Sequence, residues 1–383
     1  MNPRLLGAAT VLLAAVLATG AVRAAASASE IEALVRDGKA DEAIPKGRAA
    51  VGGRPDDVDL RLALARALAA KARRFSHTVN VKLSEADLAK GEIRVPGAQL
   101  GDAPLSVGYD AAHFEEALRH LDAGIDRAPR REDLRVFKCF LLTDADRIDR
   151  ARLAIADALA ALPKTPALAK TMASYGAERV KRGDPAGGAA LLAPVAETFP
   201  SDAAVQADYG NTLTRVGRGA EAFAALDRAI AADPKDLRYQ RTKATAAMLL
   251  RDFARARAAY DGLFRKTRAV EDEFAGLVAA YGLDPKGAAG LMTQAMAPSA
   301  SSQPALVELA DGFIRAGKSG AASGEAIALA RRLMTAGQQV LAIPVLDRAL
   351  AAQPGSQDAR ALMAQAYREL GCDALARPFA RSP

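Results

Sequence analysis

The sequence has no tryptophan, only two cysteines and three histidines among 383 residues, and aromatic residues make up just 5%. Each shortage excludes something. Cys139 and Cys372 are too few and too far apart in the chain for a disulfide framework. A bond between them would need Cα atoms within about 7 Å, so two buried, idle thiols are expected. With so few aromatics, a stacked platform for glycan is poorly supplied. No nucleophile-elbow or zinc-protease pattern occurs. After residues 5–17 no second long apolar run follows, so the body of the chain offers no membrane span.

What the sequence does have is alanine: half of its residues are hydrophobic by a broad count, and much of that half is Ala. Alanine is the best helix former, and small side chains let helices approach closely. The composition therefore leans all-α. Residues 1–26 read as a signal peptide. Arg4 supplies the positive start, residues 5–17 the apolar run, and small residues offer cleavage after Ala24 or Ala26. Membrane contact is expected only if this segment stays uncleaved, and a periplasmic or secreted location follows from it. Without the first 24 residues the chain keeps 50 basic and 45 acidic residues, a mild +5 that demands no nucleic-acid partner.

One pattern recurs: a small residue, then apolar or small residues four and seven later, then Pro twelve later. It appears as Ala43, Gly47, Ala50, Pro55 and again as Ala117, Leu121, Gly124, Pro129. It returns from Ala151 to Pro163, Gly188 to Pro200, Ala222 to Pro234 and Ala342 to Pro354. The spacing puts the residues on one helical face, and Pro ends the helix. Several copies are 34 residues apart. Gly38, Gly183, Gly217, Gly337 and Gly371 each stand five residues before the first member, where a preceding helix should turn.

Helix, Gly turn, helix, Pro at this period resembles the tetratricopeptide repeat. The clearest copy, residues 203–236, carries Tyr209, Gly210, Leu213, Ala222, Leu226, Ala229 and Pro234 at the family's places. The family's Trp position is filled instead by Gln206, Arg61 or Arg360, and the copy through residue 268 lacks its closing Pro. The resemblance implies an all-α, right-handed helical solenoid of helix–turn–helix repeats.

Two interruptions break the rhythm. Between Ala43 and Ala117 the step is 74 residues, a repeat plus a 40-residue insertion. In it Val79, Val81 and Leu83, then Ile93 and Val95, alternate with polar residues, which predicts a small β-hairpin insertion over residues 75–109. Between Ala256 and Ala342 the step is 86 residues. Helices are expected near 270–281, 285–297, 304–317 and 321–336, with Gly317 and Gly337 as turn glycines and a bend or boundary at 298–304. The organisation read from the sequence is therefore 1–26 signal, 27–74 N-terminal repeat helices, 75–109 insertion, 110–297 central array, 298–304 linker or bend, and 305–383 C-terminal repeat-like helices.

Three stretches invite a chemical reading. Residues 312–319, from Gly312 through Gly317, Lys318 and Ser319, match the phosphate-loop pattern, but the residues before them have helical rather than strand spacing. His113, Glu116 and His120 share one helical face, which could suggest a metal but completes no ligand set. No metal, cofactor or catalytic residue is assigned, and the chain is read as a non-enzyme. The third stretch rests on the resemblance. In the family the first helix of each repeat lines a concave groove, and the groove-facing residues here include Asn211, Thr214 and Arg215 from one copy and Arg238 and Arg241 from the next. Some relatives grip a peptide carboxylate with such an Asn-plus-basic cluster, although the family's Lys is replaced by Ala207. The expected partner is a protein or peptide held in that groove by an exported scaffold. An envelope polysaccharide-export or assembly component that contacts glycan or peptidoglycan is the alternative, with nucleotide binding through 312–319 a more distant one.

Overall fold

A computed structural model describes residues 26–76, 106–296, 304–320 and 324–380. The signal segment and the alternating stretches around Val79 and Ile93 lie outside these residues, as does His77. The described chain is all helix apart from one two-stranded sheet, and it divides into two compact units, Met1–Leu162 and Pro163–Pro383. The division falls inside the stretch 110–297 read as one array. No described helix is long and apolar enough to cross a membrane.

The first unit contains α1 (Ala28–Arg36), α2 (Ala40–Gly53), α3 (Val58–Ala72), β1 (Arg73–Ser76), β2 (Ser106–Tyr109), α4 (Ala111–Arg127), α5 (Glu132–Asp144) and α6 (Ile148–Ala161). Ser27 and Glu30 form a reciprocal capping box at the start of α1, which satisfies amides the helix itself cannot bond. Asp57 and Asp110 cap α3 and α4 through their carboxylates. The insertion enters between the two helices of one repeat, and its ends are clipped by β1 and β2, paired antiparallel from Arg73↔Tyr109 to Ser76↔Ser106. The pair starts two residues earlier than the sequence boundary, directly at the end of α3. Despite the insertion, α3 and α4 pack face to face as a repeat pair.

The second unit contains α7 (Pro166–Lys181), α8 (Pro185–Thr198), α9 (Ala203–Val216), α10 (Gly219–Ala232), α11 (Leu237–Leu249), α12 (Phe253–Thr267), α13 (Val270–Leu283), α14 (Pro285–Met296), α15 (Pro304–Ser319), α16 (Gly324–Thr335), α17 (Gln339–Ala352), α18 (Gln357–Glu369) and α19 (Asp373–Ala380). Within it, first helices touch the first helices of neighbouring repeats, α7 to α9 and α9 to α11, while each also packs on its own second helix. Gly210 shows why the pairs fit so closely. A Cβ there would lie 2.7 Å from Leu226 Cγ and 3.0 Å from the Ala222 carbonyl, and both contacts are with the repeat's recurring apolar positions.

Five of the six turn glycines named from the sequence, Gly38, Gly183, Gly217, Gly337 and Gly371, hold positive φ, between 67° and 85°. Where a repeat lacks that glycine, Asp146 and Arg251 occupy the same register at φ 59°. The backbone there keeps the left-handed turn and carries the strain of a side chain. In the repeat without a closing Pro, Arg268 ends α12 at φ 56°. Gly317 is a correction: it lies inside α15, where a Cβ would come within 2.5 Å of the Pro285 carbonyl, and the turn glycine is Gly320 at φ 95°. Gly317 serves a close helix contact, which helical spacing alone could not separate from a turn.

The residues at the family's Trp position have a task of their own. Arg61, Arg135 and Arg360 each donate from Nε to the carbonyl of the proline six residues earlier, Pro55, Pro129 and Pro354, at 2.8, 2.6 and 3.1 Å. Gln206, fully buried, donates to the Ala196 and Phe199 carbonyls at 2.6 and 3.2 Å and accepts from Arg228 at 2.7 Å. These carbonyls end the preceding helix and have no partner within it. A polar clamp therefore replaces the aromatic wedge.

Candidate groove on the first-helix layer

The five groove residues expected from the sequence do not converge. Asn211 and Arg238 line one open groove of about 300 Å³ between α9 and α11, together with Ala204, Ala207, Asp208, Tyr239 and Thr242. Arg238 is 82% exposed and folds back on Asp236, the cap of its own helix, with contacts of 2.5–3.0 Å. That bond holds the Asp236 carboxyl below its ordinary range. Arg241 turns away from the groove and makes a bidentate pair with Asp272 on α13, at 3.0 and 2.8 Å. Asp272 is nearly buried and also accepts from the Thr267 hydroxyl at 2.9 Å; the Arg241 bond above all depresses its carboxyl. This pair fastens two repeats.

Thr214 is buried and spends its hydroxyl on the Gly210 carbonyl at 2.9 Å. Arg215 is half-buried against the turn at Gly371, where a Cβ would meet its Nη1 at 2.7 Å. Among the described residues its guanidinium has no hydrogen-bond or ion-pair partner, unlike those of Arg238 and Arg241. Asp208 is open to solvent at the groove wall, yet the protein crowded around it, and then Asp202, push its carboxyl up. The groove is thus polar and of mixed charge, with small Ala204 and Ala207 leaving it open. Asp208, Tyr239 and Thr242 were not singled out from the sequence. The helical spacing that unites Ala204, Asp208 and Asn211 on one face, and Arg238, Tyr239 and Thr242 on the next, was the signal available.

The C-terminal end of the same layer is filled by the chain itself. Tyr367 of α18, almost fully buried, donates its hydroxyl to the Leu249 carbonyl at 2.8 Å, satisfying one of the last carbonyls of α11. Arg251 pairs with Asp347 of α17 at 2.9 Å and stacks over the Phe379 ring of α19 at 5.4 Å. Leu375 lies against Gly217 at the end of α9. Helices 17 and 19 therefore contact α11, α13 and α9, helices far from them in sequence.

The other two candidate stretches are engaged within the fold. Residues 312–319 are helical throughout, so their amides serve α15 and form no strand-to-loop phosphate cradle. His113 bonds Asp110 at 2.7 Å, and Glu116 takes Arg48 bidentately at 2.8 and 2.6 Å. His120 lies 3.4 Å from Arg61; burial first, then that charge, lower its pKa. Glu116 also lies 3.9 Å from His120 Nε2, while His113 is held apart by Asp110, and no described group of three or more His, Cys, Asp or Glu is placed to hold a metal. Cys139 and Cys372 are buried and not joined in a disulfide, with burial pushing their thiols up to about 12 and about 11.

Residues 179–246, which contain the clearest copy and its Gly217 turn, match the tetratricopeptide-repeat family model. No curated protein matches the chain in sequence. Among solved structures it is similar to the TPR domain of P58(IPK), with 15% identity, a TM-score of 0.28, and 92% of this chain and 89% of that one covered. It is also similar to Naa15/Naa10 bound to HypK-THB, with 12% identity, a TM-score of 0.41, and 92% and 56% covered. Paired helices and left-handed turns in a common register run through the described chain, and over residues 179–246 these repeats match the tetratricopeptide-repeat family.

Proposed function

We propose that this chain is an exported, non-catalytic scaffold that holds an acidic or carboxylate-ended protein segment along the face of α9 and α11. The observation that carries this reading is the open groove at Asn211 and Arg238, next to the unpaired guanidinium of Arg215. An arginine without a carboxylate of its own is free to take one from a ligand, and Asn211 stands one helical turn before Arg215 to bond its backbone. Export rests on the signal pattern of residues 1–26, and N-terminal sequencing of the protein recovered from the envelope would reveal the cleaved start near Ala25 to Ala28.

The test is a titration with labelled acidic peptides bearing free C-termini, against neutral and amidated versions. Charge-assisted bonds contribute roughly 1.5–3 kcal/mol each, so Asn211→Ala with Arg215→Ala should weaken binding by more than about tenfold. Salt should weaken it as well. His113→Ala with His120→Ala, in the first unit, is the control. Equal behaviour of the two double variants would remove the groove as the binding site.

A further inference from the structure

In a linear repeat array each repeat touches only its neighbours, but the last two helix pairs here, α16/α17 and α18/α19, return to α9, α11 and α13. Three features mark this return contact. The first is Arg251. Five repeats place glycine at its register, where the backbone is left-handed, yet this repeat holds an arginine at φ 59° whose side chain reaches Asp347 and Phe379. A strained residue persists when its side chain is needed. The second is the interior of the contact: Tyr281 Oη on α13 and Arg348 Nε on α17 are buried without a hydrogen-bond partner from the described protein. Buried unsatisfied groups are costly, so these two weaken the junction. The third is its location: Tyr367 and Leu375 reach Leu249 and Gly217 at the C-terminal ends of α11 and α9, the two helices whose earlier turns line the open groove.

We propose that the last two helix pairs are a detachable cover on the first-helix layer, latched by Arg251 to Asp347 and Phe379, and that its release extends the groove past Arg215 over Thr214, Met248 and Leu249. The cover is an intramolecular occupant, so a protein segment using the full face must displace it. Release of the cover does not depend on whether the groove takes an acidic ligand, and it is measurable without any partner.

Cys372 reports on it. The thiol lies in the turn between α18 and α19 of the cover, on the side of Arg215, and is 1% exposed; Cys139 in the first unit is likewise buried and serves as an internal reference. Each thiol should react with a small maleimide only when its surroundings open, as the thiolate becomes available in water. The full chain is labelled under native conditions and both cysteine peptides are followed by mass spectrometry across low urea concentrations. Release of the cover predicts that Cys372 labels through an opening with weak urea dependence, well below that of global unfolding. Arg251→Gly should speed Cys372 labelling by about tenfold with Cys139 unchanged. Because glycine also relieves the turn, the same variant should hold or raise the melting temperature, so local and global effects separate. Asp347→Ala, which leaves the turn intact, should speed Cys372 labelling severalfold. If Cys372 labels only with the full urea dependence of global unfolding, and neither variant changes its rate apart from its effect on global stability, the helix pairs are fixed core and the proposal fails.

Discussion

The two interruptions of the repeat have opposite consequences. The first inserts a long segment between α3 and α4, yet those helices still pack as a pair, because β1 and β2 bring the segment's ends together where the helices meet. The second, between α12 and α17, adds helices without keeping the pairing rhythm: α15 packs on α14 and α13, α16 on α15 and α17, and the following helices land on α11 and α13. A repeat tolerates material leaving and re-entering at one point, since closing a longer loop costs little more. Material that changes the number of helices between repeats redirects everything after it. Length was not what mattered; the place where the ends rejoin was.

The strongest test of this contrast is at the second interruption. Phe313 on α15 is fully buried, with its ring edge-on to Phe274 at 5.9 Å and to Tyr281 at 5.4 Å. Phe313→Ala should cost about 3–5 kcal/mol, read from urea unfolding followed by circular dichroism. A cost under about 1 kcal/mol, the range of a surface change, would make α15 as peripheral as the first insertion.

A smaller effect is expected where the first interruption is anchored. Asp144, at the end of α5, is almost buried and accepts from Tyr109 Oη at 2.6 Å and pairs with Arg73 Nε at 3.1 Å, one partner from each strand. Asp144→Ala should destabilise the first unit by about 2–3 kcal/mol, and Tyr109→Phe by about 1 kcal/mol, in thermal melts. Unchanged melts would mean that the strand pair is not fastened to the third repeat.

The smallest effect sharpens the comparison most. Replacing residues 77–105 with a short Gly/Ser linker, keeping β1 and β2, should change stability by no more than about 1 kcal/mol. Helical content should stay as it is. Loss of cooperative unfolding in this variant would place the insertion in the core and erase the difference between the two interruptions.

Much of the fold was legible because repetition multiplies weak signals. One Gly before one Ala says little, but five at the same offset specify a left-handed turn, and the structure holds all five there. The four helices expected after residue 269 appear at Val270–Leu283, Pro285–Met296, Pro304–Ser319 and Gly324–Thr335. The return of the C-terminal helices was not legible. It depends on Tyr367 finding Leu249 and Arg251 finding Asp347, pairs distant in the chain that no period announces. The groove was legible only in part. Helical phase places Arg238 and Arg241 on one face, but it cannot show that Asp236 and Asp272 already hold them, while Arg215 is left unpaired.

The clamp of Arg61, Arg135 and Arg360 on the proline before it has a consequence for how such a chain can grow. Donor and acceptor are six residues apart across the joint between two repeats, so the joint's fastening is encoded locally. A duplicated segment cut just upstream of its proline would bring both halves of the bond with it. New copies could then be spliced into the gene, or deleted from it, without any compensating change elsewhere. An aromatic wedge must be matched in shape to whatever helix precedes it. A guanidinium that needs only a carbonyl is indifferent to its neighbour's side chains, which suits a molecule lengthened by copying.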